Sequence, residues 1–189
     1  MNNIDLVGSL AEAFMNNILI TAVSCIIPLF VGIVVYCLLK TFENKTFSRI
    51  IRFPSIIFES VCPLIVLFFV YFGIPYISRQ LGFRIVLTPT MGTLIGFTIC
   101  FIGYMPARYN SKDSLVKNWV VNSLGLFSTV LKWSFVSSVI GAPELTNKIQ
   151  NYIAISFKSF EWWACGLIVT LVVIFIVELL KYIANEVLE

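Results

Sequence analysis

The sequence predicts an all-α integral membrane protein with about five transmembrane helices in a single domain, residues 1–189. Composition is the first reason. Of the 189 residues 59% are hydrophobic and only 12% are charged, against about 25% charged in ordinary soluble domains, and the mean hydropathy is +0.94. A water-soluble core cannot absorb this much apolar surface at this length. The second reason is run length, since the apolar residues gather in stretches near the ~20 residues that a helix needs to cross the hydrocarbon. These runs are unbroken, whereas the strands of a membrane barrel would alternate. The third is the unequal sharing of Lys and Arg among the connecting loops.

The first span is read at 17–39, NILITAVSCIIPLFVGIVVYCLL, with Pro28 inside it. A membrane helix tolerates such a proline, usually with a kink. The second is read at 55–77 and the third at 85–105, where Pro89 is expected to kink the helix or to break it and open backbone groups to a cavity. The fourth, 119–141, is the most polar; the fifth, 162–183, is the clearest and opens with Trp162 and Trp163, as an interfacial aromatic belt would. Between the last two, Ile149, Ile153 and Phe157 recur every fourth residue. That segment is expected to be a short amphipathic helix, either along the membrane face or packed on the bundle.

Five spans put the termini on opposite sides. One side then holds Lys40, Lys45, Arg49, Arg52, Arg108, Lys112, Lys117 and Lys181, and the other Arg79, Arg84, Lys148 and Lys158. The richer side is expected to be cytoplasmic, so the N-terminus, which bears only Asp5 and Glu12, lies outside and the C-terminus inside. The first apolar stretch has no basic flank and is too long for a signal-peptide core, so it is expected to stay in the membrane.

The chain has no histidine, and its five cysteines, Cys25, Cys37, Cys62, Cys100 and Cys165, show no metal-ligand spacing. There is no nucleophile–base pair, phosphate loop or metal cluster, so no chemistry and no nucleic-acid binding are expected of the chain itself. The most conspicuous residue is Lys132, a charge inside the fourth span with Ser128, Thr129, Ser134, Ser137 and Ser138 around it. A charge at mid-membrane costs about 2.5–3.5 kcal/mol on insertion scales, so it should face the bundle interior, a water-filled path or a partner. Ser128, four residues before it, shares its helix face; Ser134 does not. Gly92 and Gly96 form a G-x-x-x-G pair that lets helices approach closely, either within the chain or at a dimer seam.

Three stretches together resemble the polar amino-acid (histidine/glutamine) type of ABC-transporter permease. Residues 15–40, MNNILITAVSCIIPLFVGIVVYCLLK, resemble that family's opening helix. In CPLIVLFFVYFGIP, 62–75, the residues Pro63, Leu64, Tyr71, Phe72, Gly73 and Pro75 match its Thr-Pro-Leu…Tyr-Phe-Gly-x-Pro run. In LKWSFVSSVIGAPEL, 131–145, Lys132, Ser134, Ile140, Gly141, Glu144 and Leu145 match its Lys-Asp-(Thr/Ser)-Ser…Ile-Gly-x-x-Glu-Leu segment. The departures are specific. The family's Arg before Thr-Pro falls on Ser60, beside Glu59, and its Asp after the Lys is Trp133. Its Glu-Ala-Ala…Gly loop, which forms the helix that docks into the ATPase, has no counterpart in YMPARYNSKDSLVKNW, 104–119.

The resemblance implies an importer-like permease bundle in the bacterial cytoplasmic membrane. It pairs with a second permease subunit, an ABC ATPase that binds ATP and an extracytoplasmic solute-binding protein, and moves polar amino acids or similar small solutes by alternating access. Lys132, Ser128, Ser134, Ser137 and Ser138 would then line the substrate path. The alternative for Lys132 is a structural ion pair with Glu59 or Glu178, or snorkelling to an interface. Arg108, Ser111, Lys112, Asp113, Leu115 and Lys117 would form what remains of the ATPase-coupling loop, as about two helical turns. The missing loop also admits a second reading, a permease-derived scaffold or sensory subunit without ATPase coupling.

Overall fold

In the first helix the chain obeys an inside-out rule. Along α1 (Asn3–Thr41) the buried positions are Ala13, Asn17, Ile20, Thr21, Ser24, Cys25, Pro28, Gly32, Tyr36 and Leu39 among the described side chains, while Leu19, Ile26, Phe30 and Ile33 are exposed. A helix in water would bury the second set; one in lipid presents it to the acyl chains. The computed structural model describes residues 3–41, 45–108, 113–157 and 159–188. Five of its helical segments, 8–41, 63–80, 89–107, 115–140 and 159–187, are long and apolar enough to cross a membrane.

α1 begins well before the expected 17–39. Nothing between Asn3 and Asn17 breaks a helix, and this stretch has its own seat on the bundle through a hydrogen bond between Ser9 and Tyr152. α2 (Lys45–Ser60) is a separate helix, so the second span starts at Pro63 and not at residue 55. The cause is Pro63, which disfavours helical backbone at the residue before it, and Cys62 is accordingly extended at φ −64° and ψ 122°. The span continues as α3 (Pro63–Phe68), a widened π turn over 69–73 and α4 (Ile74–Gln80). The π turn lies where the ring of Pro75 would meet the carbonyl of Tyr71 in a regular α-helix.

In the third span Pro89 neither kinks nor breaks the helix: it begins it. Residues 85–88 are irregular, Thr88 is the N-cap with its hydroxyl accepting from the Met91 amide at 3.3 Å, and Pro89 opens α5 (Pro89–Phe101). A proline at the first helical position has no hydrogen bond to lose. α6 (Tyr104–Ala107) completes this span. The fourth consists of α7 (Leu115–Ser134) and tighter 3-10 turns over 135–140, stopped by Gly141 at φ 80°, a conformation that glycine adopts without strain. α8 (Leu145–Ser156) packs on the bundle through Leu145 and Ile149, but the expected stripe dissolves beyond them. Ile153 is half-buried, and Phe157, at φ 57°, is fully turned out. α9 (Ser159–Val187) is the last span.

The core lies where α1, α5, α6 and α7 meet, around Tyr36, Phe97, Phe101, Tyr104, Met105, Leu126 and Val130. The Tyr36 hydroxyl accepts from Asn122 Nδ2 at 2.8 Å and lies 3.3 Å from the Asn118 carbonyl oxygen, tying α1 to α7 deep inside the bundle. Gly92 and Gly96 pack within the chain. A Cβ on Gly92 would lie 2.8 Å from the Tyr71 ring, and one on Gly96 3.4 Å from the Leu67 backbone.

Candidate functional site

The polar residues that the sequence gathers around Lys132 separate into two groups. Lys132 leaves α7 toward α9, where its Nζ lies 3.2 Å from Glu178 Oε1. Ser128, one turn back, donates to the same oxygen at 2.7 Å, and Lys181 Nζ lies 3.4 Å from Oε2. Glu178 thus holds two ammonium groups and a hydroxyl. Of the two acids that the sequence offers Lys132, the structure pairs it with Glu178; the Glu59 side chain lies outside the described residues. A cation satisfied in this way, at a surface where both partners are about 40% exposed or more, fastens α9 to α7.

Ser134, Ser137 and Ser138 turn elsewhere. Their hydroxyls donate to the carbonyls of Leu131 at 2.8 Å, Ser134 at 2.6 Å and Phe135 at 3.1 Å. They lie in the segment that leads through Gly141 to Glu144. Glu144 stands at the N-cap position of α8, where a carboxylate normally accepts from the first amides of its helix. Here it makes no such bond and is completely buried. Neither carboxyl oxygen has a hydrogen-bond partner. Burial pushes its pKa up from 4.5 to about 8, against a smaller opposing pull from the Ser138 backbone and the Ser137 and Ser138 hydroxyls. Both hydroxyl hydrogens are already committed to carbonyls, so neither closes on the acid.

α1 presents the same condition. Asn17, Thr21 and Ser24 follow each other at helical spacing on its buried face, each at most 1% exposed. Both amide atoms of Asn17 and both hydroxyl oxygens, Thr21 Oγ1 and Ser24 Oγ, lack hydrogen-bond partners. The segment before Glu144 is tied to α1 at this level, where Asn16 Nδ2 donates to the Pro143 carbonyl at 3.4 Å. The interior therefore carries, on α1 and at the head of α8, an amide, two hydroxyls and a carboxyl group that nothing satisfies. Each unsatisfied buried group costs roughly 1–3 kcal/mol. In a helix otherwise this apolar, polar residues at positions 17, 21 and 24 were the signal in the sequence. Glu144 was visible only as part of a motif.

The other openings have different chemistry. A cavity of about 300 Å³ between α1, α8 and α9 is lined almost wholly by apolar groups, among them Leu10, Phe14, Ile149, Trp162 and Val169, and offers a polar solute nothing. Among the described residues no cluster of His, Cys, Asp and Glu could hold a metal ion.

Among the described residues, those expected in the coupling loop form no helix of their own. Arg108 lies after α6 with its guanidinium 3.8 Å from the centre of the Tyr104 ring. Ser111 and Lys112 lie outside the described residues. Asp113 precedes Ser114, whose hydroxyl accepts from the Lys117 amide at 3.1 Å and caps α7, so Leu115 and Lys117 belong to the first turn of the fourth span. The reason is local: Ser114 is the last residue before the long apolar run, and a serine there starts the helix.

No protein-family model matches the chain, and no curated protein matches it. Among solved structures, it is similar to one described as the "crystal structure of an amino acid ABC transporter with histidines". The TM-score is 0.77 at 15% identity, over 97% of this chain and 95% of that one. The chain therefore shares the fold of that structure along nearly its whole length.

Proposed function

We propose that the chain is a transmembrane permease subunit of an ABC importer for polar amino acids or similar small solutes, a carrier and not an enzyme, in a bacterial cytoplasmic membrane. The observation that carries this reading is the set of buried polar groups without partners, Asn17, Thr21 and Ser24 on α1 and Glu144 at the head of α8. Its inventory suits a zwitterion: the amide and hydroxyl donors meet a carboxylate, and Glu144, once ionised, meets an ammonium group. No solute reaches groups buried this completely unless the helices part. The cost of leaving them unsatisfied then belongs to one state of an alternating-access cycle, the state between loads. A second permease subunit, the same or a sister chain, an ATPase that binds ATP and an external solute-binding protein complete the machine. Lys132 and Ser128 act in this account as the tie between α7 and α9, and Ser134, Ser137 and Ser138 shape the turn that delivers Glu144.

The alternative is a permease-derived scaffold or sensory subunit. It is favoured by the direct passage from Ser114 into α7, which leaves little chain between α6 and α7 with which to grip an ATPase. Purification from native cells in mild detergent, followed by mass spectrometry, separates the two. Recovery of an ABC ATPase in roughly equal copies, with uptake of a polar amino acid by the reconstituted complex and its loss in Glu144→Gln, is the expected result. Reproducible recovery of other membrane proteins without an ATPase overturns transport in favour of the scaffold.

A further inference from the structure

α2 is too short to cross a membrane and too apolar on one side to lie in water. Its 16 residues span about 24 Å, below the ~30 Å of the hydrocarbon. Ile50, Phe53 and Ile57 share one side of the helix and are 64%, 66% and 51% exposed. The register places Lys45, Arg49 and Arg52 on an adjoining side, roughly 100° round the helix from that apolar side, and the Arg49 side chain is exposed. Along its described side chains only Ser55 is buried. Its backbone lies so close to Gly103 that a Cβ there would fall 2.5 Å from the Ser55 carbonyl oxygen. That contact holds α2 beside α6, at the end of the third span, between the end of the first span at Thr41 and the start of the second at Pro63. α2 therefore lies at the membrane face where three spans end. Lys40 adds a fourth cation to the stretch 40–52, against Glu43.

We propose that α2 is an interfacial helix whose Lys45, Arg49 and Arg52 side binds the anionic phosphate headgroups of phospholipids while Ile50, Phe53 and Ile57 enter the acyl region. An amphipathic helix with this division lies in the plane of the bilayer, its apolar side some 5–10 Å deep. Charge decides the occupant. Three basic positions on one side fit a layer of lipid phosphates, each contributing about 1 kcal/mol near an anionic surface. The inference does not rest on the transport reading, since a scaffold would need the same contact.

The test uses the full chain, reconstituted in vesicles of mixed phosphatidylglycerol and phosphatidylcholine, with spin-labelled versions of each lipid. Wild type should hold the anionic label about fivefold or more in preference to the zwitterionic one, on the scale of a single basic residue at the surface. Lys45→Gln/Arg49→Gln/Arg52→Gln should bring the ratio near one, and Arg79→Gln/Arg84→Gln should leave it unchanged. Equal binding of the two lipids by wild type, or a preference that survives the triple change, overturns the proposal. Should the triple variant fail to fold, a nitroxide at Phe53→Cys in a chain with the exposed Cys37, Cys62 and Cys165 changed to serine decides. Relaxation by oxygen but not by a water-soluble nickel chelate places α2 in lipid. Shielding from both means that a second protein surface covers it, and exposure to the chelate means that it lies in water; either overturns the proposal.

Discussion

Glu144 concentrates the chemistry of this molecule in one side chain. It is an acid with its pKa raised from 4.5 to about 8 by burial. Between those values the folded chain holds a proton that the unfolded chain has released. Stability is therefore greatest below about pH 4.5 and is lost as the pH rises through about 8, at no more than about 1.4 kcal/mol per pH unit. Thermal unfolding of the purified protein across that range should show the midpoint falling with pH, and Glu144→Gln should flatten the curve. A wild-type midpoint that rises over the same interval would show that Glu144 is ionised and paired. Lys132 behaves differently because its partner is in place. Glu178→Gln should destabilise the bundle by on the order of 1–2 kcal/mol, leaving two lysines without their shared acid. Lys132→Met should cost less, since Glu178 keeps Lys181 and Ser128. A double-mutant cycle between positions 132 and 178 should show coupling, and additive losses would mean that the observed pair contributes nothing.

At the level of elements, the sequence disclosed the number of spans but misplaced their ends, and each error has a local cause. Pro63 and Pro89 both begin helices, and a hydropathy run cannot tell a proline that starts a helix from one that kinks it. The second span therefore seemed to begin inside α2, because Ile56, Ile57 and Phe58 are as apolar as a membrane core although they belong to a different helix. The contact that separates α2 is a tertiary one, its Ser55 backbone against Gly103, and no spacing announces it. Gly103→Ala should push α2 off α6, because the clashing atom is a backbone oxygen and cannot swing aside. A loss of about 1–3 kcal/mol is expected from such overpacking, with faster proteolysis between residues 41 and 63. An unchanged midpoint and cleavage rate would mean that α2 is not seated there.

For the whole molecule, membrane residence was plain in the sequence because lipid demands long apolar runs and little else. The polar interior was not, because lack of a partner is a property of the folded state. Lys132 drew attention as a lone charge, yet it is satisfied by a residue 46 positions away, while the unsatisfied groups sit quietly on α1 and in a turn. What joins residue chemistry to function is orientation. With five spans and the basic loops expected inside, Phe83 is expected outside and Thr41 inside, on either side of the second span. In cells expressing the chain with Cys37, Cys62 and Cys165 changed to serine, a membrane-impermeant maleimide should label Phe83→Cys directly and Thr41→Cys only after the membrane is opened. Both side chains are exposed, so access is decided by the membrane and not by packing. The reverse pattern would turn α2 and the passage from α6 to α7 toward the exterior, beyond the reach of any cytoplasmic ATPase, and coupled import would fail on geometry alone. The expected pattern leaves that passage facing the cytoplasm, where the two functional readings differ only in whether an ATPase is bound.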